Sequence, residues 1–118
     1  RNLYIVVWRI YHMTQTSFYL YEMFFKALSN KTRFEIIRCL KDGPRSVNDL
    51  CKELKFEQSR VSHNLKKLEH CGFVQSYVKG KMRIYSIDAQ YIIPIMESID
   101  KYIKKYDKRL KVCSIKLK

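Results

Sequence analysis

The sequence predicts a mainly α-helical domain with one small β-hairpin, in the order α-α-α-α-β-β-α. Three observations support this fold class. Apolar residues recur at three- and four-residue steps through most of the chain, the periodicity of helices with one buried face. Two β-rich runs flank the loop Lys79-Gly80-Lys81, which is typical of a hairpin. Strong stop signals, Gly43-Pro44 and Gly72, separate the segments.

The chain is strongly basic. Its 118 residues include 24 Lys or Arg and 11 Asp or Glu, giving a formal net charge of +13 and a pI of about 9.7. This charge favours a polyanionic partner, either nucleic acid or an acidic membrane surface. Residues 73–87 carry three cations and no acid. At this length a single domain is expected.

The cysteines and the apolar runs provide evidence about the cellular compartment of the protein. Cys39, Cys51, Cys71 and Cys113 form no CxxC pair and follow no secretory signal, so we expect reduced thiols. The longest wholly apolar run, residues 3–8, is far too short to cross a bilayer. These features favour a cytoplasmic protein that does not contact a membrane.

Residues 1–17 form an N-terminal extension for which two interpretations are open. It is an extra strand or helix that packs on the domain, or Met13 is the true start and the earlier residues are translated upstream sequence. We favour the second, because the domain pattern begins only after Met13. The domain is then expected over residues 18–110, with a basic tail over 111–118 that frays.

The first two helices are predicted from apolar content and end signals. Phe18–Leu28 is rich in large apolar side chains and indicates a helix buried on more than one side, with surplus apolar surface for a subunit interface. Lys31–Leu40 forms the second helix after an N-cap at Ser29-Asn30. Its inward residues are expected to be Phe34, Ile37 and Leu40.

Two short helices joined by a tight link follow. Ser46 and Asp49 predict an N-cap for Val47–Leu54. The next helix, within Phe56–Gly72, has a narrow apolar stripe, and Gly72 is expected in a left-handed C-cap. The stripe consists of Val61, Leu65 and Leu68. The opposite face carries groups that suit base edges and phosphates: Ser59, Arg60, His63, Lys66 and Lys67. This pair is a helix-turn-helix candidate.

The hairpin comes directly after this helix. Its strands are expected at Phe73–Val78 and Met82–Ile87. Lys79, Lys81 and Arg83 lie at its tip and flank, so it fits a wing that contacts the DNA backbone or the minor groove.

A long last helix is expected to start at Ser86 or Asp88. Pro94 either kinks it or marks its start. Its apolar residues follow a near-heptad pattern, which indicates packing on another helix. These residues are Ile92, Ile95, Met96, Ile99, Tyr102, Ile103, Tyr106 and Leu110.

Several sequence strings match one family in the right order. Residues 25–33 (FKALSNKTR) resemble the phrase F-K-A-L-S-D-P-T-R, and residues 58–65 (QSRVSHNL) resemble Q-S-T-V-S-H-H-L. Residues 68–74 resemble L-x-x-A-G-L-V, while Gly80 and Tyr85 fit the wing. The chain thus resembles the ArsR/SmtB family of winged helix-turn-helix repressors over roughly residues 19–106.

The resemblance implies a homodimer that binds imperfect inverted repeats in double-stranded DNA and represses until an effector, unknown here, relieves it. The expected DNA contacts are Ser46, Gln58, Ser59, Arg60, Ser62, His63, Lys66, Lys67, Lys79, Lys81 and Arg83. The expected dimer interface, through the first and last helices, comprises Phe24, Ile92, Ile95, Ile99, Tyr102, Ile103 and Tyr106.

The family's effector sites are not retained. The arsenic-type motif C-V-C-D-L-C corresponds to residues 46–51, where only Cys51 remains, and one thiolate cannot hold a soft cation. The zinc-type positions hold Asp88, Gln90, Lys101 and Lys104. The redox-type pair is also incomplete, since Cys39 is displaced by one position and Cys113 lies beyond the last helix. We therefore expect no metal cofactor at these positions, although a metal effector elsewhere stays possible.

Each of these features also has an ordinary structural interpretation. The cationic helix face could be an ordinary solvated surface, the wing lysines a solubilising tip, and Cys39, Cys51 and Cys71 core residues. A non-standard metal site could combine Cys51, Cys71, His63 and His70. The alternative functions are accordingly a thiol-based metal or redox sensor, or a winged interaction module without operator specificity. No base–nucleophile pair indicates an enzyme.

Overall fold

A computed structural model describes residues 2–117, with the side chains of residues 13–17 left out of the description. The predicted order of helices and hairpin is confirmed, with one additional two-residue strand. The elements are α1 (Leu3–Leu28), α2 (Lys31–Lys41), β1 (Arg45–Ser46), α3 (Val47–Leu54), α4 (Gln58–His70), β2 (Val74–Lys79), β3 (Met82–Ile87) and α5 (Ile92–Leu117). None of these described helices is long and apolar enough to cross a bilayer.

Helix α1 is longer and more exposed than expected. Residues 3–17 of the N-terminal extension belong to α1 rather than to a strand, and residues 3–12 are exposed instead of packing on the domain. The expectation that Phe18–Leu28 is buried on more than one side is wrong within one chain. Ala27 is buried there and Phe24 is half-buried, with its ring tilted against that of Phe73 and the two ring centroids 5.2 Å apart.

Helix α2 lies in the centre of the core. Asn30 caps it by accepting a hydrogen bond from the Arg33 backbone N–H at 3.0 Å. Ile37 and Leu40 are buried as predicted, but Phe34 is only half-buried and Ile36 is buried in addition.

The helix-turn-helix forms as the local signals predict. The Ser46 hydroxyl accepts from Asp49 N–H while the Asp49 carboxylate accepts from Ser46 N–H, both at 3.1 Å, which completes a capping box for α3. Lys55 adopts a left-handed conformation, with φ of 57°, in the link to α4. Gly72, with φ of 80°, ends α4 as predicted.

The wing is part of a three-stranded antiparallel sheet in the order β1-β3-β2. Lys79 pairs with Met82 across the turn, where Gly80 has φ of 64°. β1 pairs Arg45 with Tyr85, and it ties the start of α3 to the wing. Two residues are too few to show strand periodicity, so the sequence did not reveal β1.

Helix α5 begins after a turn closed by Asp88, whose carboxylate accepts from the backbone N–H groups of Tyr91 and Ile92 at 2.8 and 3.1 Å. Pro94 lies in the first turn, where a missing N–H is tolerated. The kink occurs instead at Tyr106, with φ of −108° and ψ of 20°. The tail expected to fray is helical through Leu117, so the expectation that Cys113 lies beyond the last helix is wrong, and this cysteine is part of α5.

Candidate nucleic-acid interface

Helix α4 separates its residues into a buried side and an outward side. Val61, Leu65 and Leu68 have no exposed surface and pack into the core. The predicted DNA contacts on the outward side are exposed, except that Ser62 is half-buried. They are Gln58, Ser59, Arg60, Ser62, His63, Lys66 and Lys67. The apolar stripe therefore orients α4 so that its polar face is free for a DNA groove.

Arg60 is held in place by two contacts that the sequence did not predict. Its Nε donates to the hydroxyl of buried Thr32 at 2.8 Å, and its guanidinium carbon lies 3.8 Å from the centroid of the Phe56 ring. With Nε used by Thr32, the two terminal nitrogens form the pair that suits guanine O6 and N7. The structure therefore orders Arg60 before any DNA is bound.

Asn64 links α4 to the domain and was missed in the sequence. Its side chain is buried, donates to the Arg60 backbone carbonyl at 2.8 Å, and accepts from Arg33 Nη1 at 3.2 Å. Arg33 also donates to the carbonyls of Ala27 and Lys26, at 2.8 and 3.2 Å. The sequence feature that could have identified Asn64 is its position three residues after Val61, at the edge of the apolar stripe.

Ser46 does not belong with the exposed contacts. Only 4% of its surface is exposed, and both its hydroxyl and its backbone N–H are used in the capping box. A buried cap residue cannot present its hydroxyl to a phosphate, so the predicted DNA contact of Ser46 is wrong in this conformation.

The wing presents the three predicted cations. Lys79, Lys81 and Arg83 are exposed. Arg83 Nη1 donates to the Ser76 hydroxyl at 3.0 Å, and that hydroxyl donates to the Glu69 carboxylate at 2.7 Å. The wing is thus tied to the end of α4, which fixes the position of its cationic tip relative to the polar face of that helix.

The thiols do not converge on a metal site. Among the described residues no group of three or more His, Cys, Asp or Glu side chains could hold a metal ion. Cys39 donates to the Glu53 carboxylate at 2.6 Å, and Arg45 Nε donates to the same carboxylate at 2.8 Å. Burial, followed by the hydrogen bond to Glu53, raises the pKa of the Cys39 thiol to about 11. A thiol with this pKa is a poor nucleophile at neutral pH.

Residues of α1 and α5 line an open apolar groove of about 570 Å³. It is lined by Leu20, Tyr21, Phe24, Phe25, Ile95 and Ile99. Of the predicted interface residues, Tyr102 and Ile103 are exposed, Tyr106 is half-buried with its ring tilted against that of Tyr102, and Ile92 is 7% exposed. Ile92 packs in the core of its own chain, so its assignment to the dimer interface is wrong.

Comparison with known proteins agrees with this geometry. Residues 30–76, which run from the α2 cap into the wing, match the family model described as bacterial regulatory protein, arsR family. Over these residues the chain is similar to the ArsR family. The ArsR-family match covers the helix-turn-helix completely and ends within β2.

Curated proteins that are similar to this chain are named as regulators. It is 32% identical over 72 residues to the HTH-type transcriptional regulator NmtR of Mycobacterium tuberculosis, covering 61% of this chain and 60% of NmtR. It is 27% identical over 86 residues to the transcriptional repressor SdpR of Bacillus subtilis, covering 73% of this chain and 96% of SdpR. The chain thus spans less than two thirds of NmtR and nearly all of SdpR.

Solved structures share the fold. Rv0081 of M. tuberculosis superposes with a TM-score of 0.69 at 28% identity, covering 80% of this chain and 95% of Rv0081. The winged helix-turn-helix domain Mb0332 of Mycobacterium bovis, described as homodimeric, superposes with a TM-score of 0.74 at 20% identity, covering 82% and 90%. The winged helix-turn-helix fold expected from the sequence is confirmed.

Proposed function

We propose that this chain is a homodimeric, sequence-specific transcriptional repressor that binds an inverted-repeat operator in double-stranded DNA. In this proposal α4 enters the major groove, the wing contacts the phosphate backbone, and each subunit binds one half-site. The observation that carries the proposal is the outward face of α4, where cations and hydroxyls are exposed opposite a fully buried apolar stripe.

The unpartnered apolar surface supports the homodimer. The α1/α5 groove and the exposed side chains around it continue along both helices, beyond what one chain covers. A second copy would bury this surface and set two α4 helices at a fixed spacing. The description of Mb0332 as homodimeric supports the same assembly.

We propose further that repression needs no metal at the family's usual positions. Asp88 already accepts two backbone hydrogen bonds, and the ammonium groups of Lys101 and Lys104 would repel a cation. The effector class is therefore different from a metal ion bound there. The cytoplasm is the compartment in which such a regulator would meet DNA.

Fluorescence anisotropy on DNA from the region upstream of the protein's own coding sequence tests the repressor proposal. A scrambled duplex of equal length is the control, and both are measured over a salt series. Tighter binding to the upstream DNA that persists at high salt supports an operator-specific, autoregulatory repressor. If the operator is not in this upstream region, selection from a pool of random-sequence duplexes would identify it. Equal binding to all duplexes with one steep salt slope would refute operator specificity.

A further inference from the structure

A second groove, which we call the α1/α4 groove, lies between the C-terminal halves of these helices and has a volume of about 550 Å³. Three of its lining residues contribute an apolar side chain, a methyl group and a thiol, and we call Met23, Ala27 and Cys71 together the floor. Cationic or imidazole groups complete the lining. They belong to Lys26, Arg33, His63, Lys66, Lys67 and His70.

Arg33 fixes the two walls of the groove. It donates to the Ala27 and Lys26 carbonyls at the end of α1 and to Asn64 on α4. The separation of the walls is therefore set without a ligand. Preformed grooves of several hundred Å³ with an apolar floor and a few polar groups are typical of small-molecule sites.

The groove carries positive charge that nothing inside it balances. Four of its lining residues are Lys or Arg, and no described lining residue is acidic. Glu22 pairs with Lys26 at 3.4 Å, and the ends of α1 and α4 together contribute roughly one negative charge through their dipoles. About two positive charges remain, so an anion would be attracted to the groove.

We propose that the α1/α4 groove is an effector site for a small organic anion with an apolar body, such as a carboxylate on an alkyl chain. Its apolar part would lie against Met23 and Ala27, and its charge would meet Lys66, Lys67 and His70. The regulatory part of this inference rests on the proposed function, because the effector would act by weakening DNA binding.

The apolar floor distinguishes this ligand from the DNA backbone. Phosphate contacts need only donors and cations, and they gain nothing from Met23. The coupling to DNA comes from shared residues, since His63 and Lys66 line both the α1/α4 groove and the outward depression of α4 with Ser59 and Arg60. A bound anion would contact these side chains and so compete with DNA for them.

The test uses decanoate as the probe, with acetate and inorganic phosphate at equal ionic strength as charge-only controls. Isothermal titration calorimetry on the protein alone measures binding. Anisotropy on the best available duplex then measures the effect on DNA affinity. The variants are Met23→Gln on the floor, Lys26→Glu at the rim and Ile99→Gln in the α1/α5 groove. Tyr91→Gln is the matched control, because Tyr91 is an exposed residue outside both grooves.

We expect decanoate to bind while acetate and phosphate do not, and to lower DNA affinity. Met23→Gln should weaken decanoate binding about tenfold, the loss expected when one apolar contact becomes polar, and Lys26→Glu should also weaken it. Tyr91→Gln should bind decanoate as the unaltered protein does. The proposal is overturned if decanoate binds no better than acetate, if Ile99→Gln rather than Met23→Gln abolishes binding, or if bound decanoate leaves DNA affinity unchanged. The calorimetric measurement needs no DNA, so this proposal and the repressor proposal can fail separately.

Discussion

Substitution of Thr32 by Val should reduce the ability of Arg60 to discriminate guanine without abolishing DNA binding. Thr32 is only 7% exposed, so it has little surface with which to contact DNA directly. Valine keeps its branched shape but removes the hydroxyl that accepts from Arg60 Nε at 2.8 Å. The guanidinium would then lose one of the two contacts that order it, keeping only the Phe56 ring at 3.8 Å.

The expected magnitude follows from these contacts. A bidentate Arg–guanine pair is worth about 1–3 kcal/mol of discrimination against the wrong base. The Thr32 hydrogen bond is worth about 1 kcal/mol. Without it, the entropy cost of ordering the Arg60 side chain would reduce the free energy of DNA binding. Thr32→Val should therefore reduce discrimination at one guanine about fivefold. Arg60→Ala should abolish discrimination at that position.

Competition anisotropy provides the assay, on the selected operator and on duplexes with single guanine-to-adenine changes or 7-deazaguanine, which lacks N7. Arg38→Ala is the matched control, because Arg38 is also exposed and lies over an aromatic ring, that of Phe34, at 5.8 Å. The reasoning is refuted if Arg60→Ala lowers affinity equally on operator and random DNA, which would make Arg60 a phosphate contact. It is also refuted if Thr32→Val leaves discrimination at every guanine unchanged.

Three further predictions concern the interface, the wing and the thiol. Ile99→Lys should convert the proposed dimer to a monomer in sedimentation velocity, because it places a charge in the α1/α5 groove; a dimer of unchanged affinity would contradict this interface. The double change Lys79→Gln and Lys81→Gln should reduce the salt slope of DNA binding by about 2 per subunit, and an unchanged slope would mean the wing stays off the backbone. Glu53→Gln should lower the pKa of Cys39, because it removes the negative charge and the strong acceptor that favour the protonated thiol. Alkylation of Cys39, followed by mass spectrometry, should then reach half its maximal rate at a lower pH than in the unaltered protein; an unchanged pH profile would show that burial alone sets this pKa.

The sequence by itself determined the elements whose signals are local. The capping box of Ser46 and Asp49 sets the start of α3, and its predicted bounds, Val47–Leu54, agree with the structure. The stripe of Val61, Leu65 and Leu68 determines which side of α4 faces solvent, because the orientation that buries these three apolar side chains has the lowest free energy. Gly80 similarly determines the turn of the wing through its positive φ.

Only the tertiary structure decided which chain segments meet, because those contacts join residues far apart in sequence. Ile92 continues the same periodic stripe as Ile99, yet it lies in the core while Ile99 lines an open groove, and spacing alone cannot distinguish the two. The hydrogen bond between Arg60 and Thr32 joins residues 28 positions apart in sequence, and the one between Arg33 and Asn64 joins residues 31 positions apart. Periodicity specifies the face of a helix that is apolar. The packing of α2 against α4 determines which polar groups on the other face are ordered by neighbours and which remain free for a ligand or for DNA.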